Sequence, residues 1–231
     1  MPARPIFYDT ETTGIKAEHD RIVEIAAYDP ISGCSLEELV NPGIPIPKEA
    51  SKVHHITDDM VKDAPTFKEV GQKFIEFCSG DVILIAHNND NFDVHFLRHE
   101  FKRHALEMPE WRFFDTLKWA RRYRPDLPRH ALQFLREIYS IEANNAHRAL
   151  DDVIVLHKVF EKMSDDLDIE QSYSLLCMPR DITVMPFGKY QGKPLQEVPE
   201  DYVKWLAKSE AFEKPENLSL KESFIKLGIL K

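Results

Sequence analysis

Close to the N-terminus an apolar run, Pro5-Ile6-Phe7-Tyr8, gives way to two carboxylates, Asp9 and Glu11, and then to Thr12-Thr13-Gly14. The run reads as a buried strand, short and rich in large apolar residues. Side chains alternate along an extended chain, so Asp9 and Glu11 project from one face of a sheet. Two ionised carboxylates side by side repel each other unless a cation lies between them. Oxygen ligands with no cysteine or histidine cluster beside them favour Mg²⁺ or Mn²⁺ over Zn²⁺. The chain must therefore fold so that a central strand delivers acid to a place where a hard cation can sit.

Two later segments carry matching chemistry. In Ala86-His87-Asn88-Asn89-Asp90-Asn91-Phe92-Asp93 a short apolar strand turns polar and a helix starts at an acid. Asp93 thus stands at a strand-to-helix corner, where sites of open α/β sheets gather, or it caps its helix. In Ala146-His147-Arg148-Ala149-Leu150-Asp151-Asp152, His147 has the ordinary titration range of a general base. At 100° per residue Asp151 shares a helix face with a helical His147; if His147 is on the loop before the helix, Asp152 points at the site instead.

Strands are expected at Pro5–Asp9, Ile22–Tyr28, Cys34–Val40, Asp81–Ala86 and Phe113–Asp115. Helices are expected from Thr57, over Thr66–Cys78, Phe92–His104, Thr116–Tyr123, His130–Tyr139 and Ala146–Met163. Asn41–Pro47, with three prolines and a glycine, reads as a loop. Three strands followed by alternating helices and strands imply an α/β sheet covered by helices. The domain reading is residues 1–165, a linker at 166–181 and a small C-terminal module at 182–231. No apolar run reaches the roughly 20 residues of a membrane span, and no apolar signal core follows Met1. Cys34, Cys78 and Cys177 match neither a disulfide framework nor a zinc site, which points to a reducing cytosol.

The formal charge of −9 taken alone argues against a nucleic-acid partner. Its distribution is uneven. From Arg98 to Arg136 ten Lys and Arg stand against five Asp and Glu, with Trp111, Phe113, Phe114 and Trp119 interleaved. That stretch suits a nucleic-acid strand, or it is a solvated face over core aromatics. From Arg180 to the end nine basic residues face eight acidic ones. Gly188 and Gly192 there flank Lys189-Tyr190, a turn presenting a cation and a ring, and Tyr202, Trp205 and Leu206 share a helix face behind it.

Taken in order, Asp-Thr-Glu-Thr-Thr-Gly, His-Asn…Phe-Asp…Phe-Leu and His-x₄-Asp resemble the DEDD exonucleases of the histidine subtype, over about residues 4–163. Asn-Pro-Gly…Ile-Pro…Val-His54-His55-Ile56-Thr-Asp and Phe-Asp115-Thr-Leu fit the same likeness. The resemblance implies an RNase H-like fold, a mixed five-stranded sheet flanked by helices, and a 3′→5′ exonuclease acting on single-stranded or duplex DNA ends. It implies two Mg²⁺ ions, with Mn²⁺ as a substitute, held by Asp9, Glu11, Asp93 and Asp152, and release of nucleoside 5′-monophosphates. His147 would deprotonate the water, and the His-x₄-Asp pattern selects Asp152 over Asp151. Thr12 and Thr13 would contact the terminal nucleotide through their backbone; His54, Ile56 and Phe92 would lie beside its sugar and base; Asp115 would be structural. RNA 3′-end trimming, or a polymerase-accessory or nucleic-acid-binding protein, are the other readings, and a DNA polymerase or repair protein is the expected partner. The tail resembles a module behind some exonuclease X-like nucleases; its turn and its charge suit a nucleic-acid grip, or the piece is a structural cap or a partner-docking element. Two departures stand out: His55 replaces the family's usual Gly, and one extra residue separates His87 from Asp93, which leaves Asp90 as an alternative ligand.

Overall fold

The computed structural model describes residues 3–142, 148–178, 182–214 and 217–230. Its elements form two compact units, residues 1–176 and 177–231. In the first, β1 (Arg4–Thr12), β2 (Ile22–Asp29) and β3 (Cys34–Leu39) precede α1 (Lys48–His54), α2 (Asp58–Val61) and α3 (Phe67–Phe77). Then come β4 (Val82–Ala86), α4 (Asp93–Arg103), β5 (Arg112–Asp115), α5 (Thr116–Tyr123), α6 (Leu132–Ile138), α7 (Ala149–Ser164) and α8 (Ile169–Cys177). The sheet order is β3-β2-β1-β4-β5. β1 is antiparallel to β2 and parallel to β4, so the acid-bearing strand lies at the centre of a mixed five-stranded sheet.

Alternation along β1 sorts its side chains between two cores. Phe7 joins Ile83, Ile85 and Phe114 against α7, through Val153, Leu156, Val159 and Phe160. Ile6 and Tyr8 join Leu84 and Ile25 against α3 and α4, through Val70, Phe74, Phe96 and Phe101. Asp9 and Glu11 follow the parity of Phe7 and so share the face that α7 covers. β1 runs three residues beyond the expected Asp9, to Thr12, and a bulge falls between Glu11 and Thr12. Helix α3 starts at a reciprocal cap in which the Thr66 amide donates to Glu69 and the Thr66 side chain accepts from the Glu69 amide.

One expectation is corrected here, and one left open by the sequence is decided. The stretch 166–181 is not a bare linker, because most of it is α8. Asp168 and Gln171 cap its start reciprocally, and Ile169 and Leu176, seven residues apart, are buried in the α7-side core. The aromatics of the basic stretch are structural: Trp119 and Phe114 are buried, and Trp111 donates its ring N–H to the Cys78 carbonyl. Much of the positive charge there is also engaged, Arg112 by Glu170 and Asp81, and Arg124 by Asp126.

The second unit has its own core of Met185, Leu195, Val198, Val203, Leu206, Phe212, Leu220 and Phe224. Val184 pairs with Pro194 in an isolated antiparallel bridge, and the Gly192 amide donates to the Met185 carbonyl, closing the turn the two glycines predict. Helices α9 (Glu200–Lys208) and α10 (Leu218–Lys226) complete it. No helix among the described residues is long and apolar enough to cross a membrane.

Candidate active site

At the centre of the sheet, Asp9 and Glu11 stand opposite Ala26 and Glu24 of β2. Asp152, in the first turn of α7, comes down onto the same face. One carboxylate oxygen from each of Asp9, Glu11 and Asp152 lies within 4.8 Å of the other two. The structure thereby brings Asp152, rather than Asp151, to the strand acids. Gln133 of α6 donates to the Asp152 carboxylate at 2.9 Å and fixes its direction.

Asp93 arrives from the other side of the strand. It is buried at the start of α4 and accepts a hydrogen bond from the Thr10 hydroxyl at 2.8 Å. Its charge acts on both Asp9 and Glu11. A single 3-10 turn, Asn89–Asn91, stands between His87 and Asp93. Asp115 holds that turn, accepting from the Asn88 amide at 3.1 Å and the Asp90 amide at 3.0 Å. The same carboxylate caps α5 through the Leu117 and Lys118 amides. Asp90 sits exposed on the turn with Lys118 at 3.4 Å, and it is not one of the clustered acids.

The electrostatics follow from burial and crowding. Burial, and after it the charges of Asp93, Glu11 and Asp152, hold the Asp9 carboxyl well above the usual carboxylate range. Glu11 is pushed up to about 8 by burial and by Glu24, Asp152 and Asp93, with Arg148 opposing. Burial raises Asp93 to about 7 against the pull of the Thr10 hydroxyl. Several acids raised together in one place, all offering oxygen, are the donor set a hard divalent cation fits, since its charge removes the repulsion that raises them.

Two contributors escaped the reading of the sequence. Glu24 is buried and accepts from Arg148 at 2.9 Å and from the Ala149 amide at 3.0 Å, which pins the first turn of α7 beside Glu11. Its signal was a lone acid inside the apolar run Ile22–Tyr28. Asp20 braces the segment after Glu11. It accepts from the Lys16 amide at 2.8 Å, and a Cβ on Gly14 would lie 2.5 Å from its carboxylate, so any larger residue there would displace Asp20.

The expected substrate contacts are placed unevenly. Thr12 and Thr13 are buried next to the acids; the Thr12 hydroxyl donates to the Gly14 carbonyl, and Thr13 accepts from the Arg21 amide. Phe92 is half-buried against Phe96. His54, at the end of α1, is buried and accepts the Ile56 amide at Nδ1, which leaves the ring proton on Nε2. Ile56 itself is fully buried among Val23, Ile46 and Val61. Ile56 is thus a core residue, as buried as His54. His55 caps α1 in the left-handed conformation, φ 63°, which is why glycine suits that position. His147 lies outside the described residues.

Residues 6–160 match the RNase T model, described as exonuclease. The chain belongs to this exonuclease family. A second match, over residues 181–217, is to a family named for a quorum-sensing-regulated virulence factor. Among relatives of the exonuclease, the chloroplastic and mitochondrial exonuclease DPD1 of Arabidopsis thaliana is 36% identical over 184 residues, covering 72% of this chain and 58% of that protein. The DNA polymerase III epsilon subunit of Treponema pallidum is 40% identical over 161 residues, covering 68% of this chain and 74% of the subunit. The match to a PolC-type DNA polymerase III of Caldanaerobacter subterraneus spans 12% of that protein. A solved structure of exonuclease X with 5′ overhanging duplex DNA is similar at 26% identity and a TM-score of 0.59, over 74% of this chain and 99% of that one. Escherichia coli exonuclease I with a dA16 oligonucleotide, at 20% identity and a TM-score of 0.63 over 75% of this chain and 43% of that one, shares the fold.

Proposed function

We propose that this exonuclease shortens DNA from the 3′ end, on single strands or duplex ends, and releases nucleoside 5′-monophosphates. The observation that carries the proposal is the meeting of Asp9, Glu11 and Asp152 within 4.8 Å on the face of the central strand. Asp9, Glu11, Asp93 and Asp152 would hold two Mg²⁺ ions, with Mn²⁺ as a substitute. When bound, those ions supply the positive charge that a phosphodiester transition state needs. The chain's own part is to orient the acids, which Gln133, Thr10 and Glu24 do, and to move a proton. His147 takes that proton from the attacking water; the His147-x₄-Asp152 spacing supports the role. A new phosphorus–oxygen bond forms, the bond to the 3′-oxygen breaks, and the shortened strand keeps a 3′-hydroxyl. Thr12 and Thr13 offer backbone contacts to the terminal nucleotide, and His54 and Phe92 flank its sugar and base.

DNA is favoured over RNA because the relatives at 35–40% identity include subunits of DNA polymerase III. A polymerase or repair partner follows from the same likeness, and the free cysteines Cys34, Cys78 and Cys177 fit a cytosolic setting. The test is a digest of single-stranded DNA, duplex DNA and RNA, each labelled at the 5′ end, with Mg²⁺ or with EDTA. A ladder of labelled products shrinking from the 3′ end, lost in EDTA and in Asp9→Ala, is the expected result. An Asp9→Ala protein that cuts at the parental rate would overturn the site, and a preference for RNA would overturn the substrate.

A further inference from the structure

The C-terminal unit carries an aromatic cluster that rests on its core and ends in a ring the core does not bury. Helix α9 sends Val203 and Leu206 into the core; Tyr202, half-buried, packs against the edge of that core, and Trp205, three residues on, faces away from it. Trp205 is 57% exposed. Its ring stacks on Tyr202 at 5.5 Å and 23°, and Tyr202 meets Tyr190 at 4.8 Å. The turn bearing Tyr190 can lie this close because Gly188, at φ +76°, has no Cβ to strike the Tyr202 hydroxyl. Lys189 and Lys193 stand 5.5 Å and 5.8 Å from the Tyr190 ring centroid. Among the described residues neither lysine forms an ion pair, whereas Lys204 is taken by Glu200.

We propose that Tyr190, Tyr202 and Trp205 form a stacking platform for the bases of single-stranded DNA, with Lys189 and Lys193 receiving its phosphates. A row of rings with an exposed indole at one end accepts any base, and cations beside the row, without an ion-pair partner among the described residues, match the charge of the backbone. The platform lies outside residues 6–160, the stretch that matches the exonuclease family.

The test uses the full chain with a 5′-fluorescein dT16 strand, followed by anisotropy in EDTA. With the metal chelated the outcome is separate from that of the cleavage test. Trp205→Ala is expected to weaken binding about tenfold, in the range of one lost stack, and Trp205→Phe to recover most of it. The double variant Lys189→Gln/Lys193→Gln should flatten the dependence of log affinity on log salt by about 1.4, the share of two phosphates. Hydrolysis of the p-nitrophenyl ester of thymidine 5′-monophosphate should be unchanged in all three. Affinity and salt slope equal to the parent's in every variant would overturn the proposal and leave the patch to a protein partner.

Discussion

Glu11→Gln should make the metal-free protein more stable at pH 8 while removing its activity. Glu11 faces Glu24 across the strand pair and shares its pocket with Asp9 and Asp152. Its carboxyl is raised from 4.5 to about 8. A carboxyl raised on folding holds its proton more tightly in the folded chain than in the unfolded one. Its stabilising share is therefore complete below pH 4.5 and is lost as pH rises through about 8. At about 1.4 kcal/mol per pH unit the 3.5-unit gap sets a ceiling near 5 kcal/mol. Glu11 is partly open to solvent, which screens the charge and brings the figure to about 2–3 kcal/mol. For a unit of this size that is a melting shift of about 5–10 °C. Differential scanning calorimetry in EDTA at pH 5 and pH 8 reads it directly. The parent should melt lower at pH 8 than at pH 5, and the glutamine variant should lose much of that difference. Saturating Mg²⁺ should raise the parent at pH 8 and the variant less. Equal pH slopes for the two proteins would refute the reasoning, because the crowded charge would then not be what opposes folding.

Other perturbations follow from single positions. His55→Gly relieves a left-handed residue at the end of α1, and the gain should be about 0.5–1 kcal/mol in urea denaturation with unchanged activity. Asp115→Ala strips an acceptor from the Asn88, Asp90, Leu117 and Lys118 amides. A loss of about 2–4 kcal/mol is expected, with faster hydrogen exchange over residues 88–92 and a drop in cleavage as Asp93 loosens. Gly14→Ala drives a methyl into the Asp20 carboxylate, and about 1–3 kcal/mol of stability should go with it, together with turnover.

Much of the sheet was legible because each strand announces itself: apolar runs of the right length, bounded by turns, gave all five strands within a few residues. The acids were legible for the opposite reason, since charge inside or at the end of such a run has no structural excuse. What stayed hidden was contact between distant segments. Glu24 looks like one acid in a strand until Arg148 and the Ala149 amide are set against it. α8 was lost because its two buried apolar residues, Ile169 and Leu176, lie among polar neighbours that read as linker. α1 escaped because it is short and follows a proline-rich loop. The aromatics near Arg121 and Arg122 illustrate the limit of composition. Trp119 and Phe114 belong to the core, while the rings that do face outward, Trp205 among them, lie in a stretch of nearly balanced charge.

The pinning of Asp152 beneath Arg148 and Glu24 places the last member of the acidic trio far along the chain from the first two. A ribosome that has released only the opening strands has exposed Asp9 and Glu11 without their partner. Such a fragment cannot gather the three oxygens, so the blade of this nuclease is assembled only after the sheet has received its long covering helix.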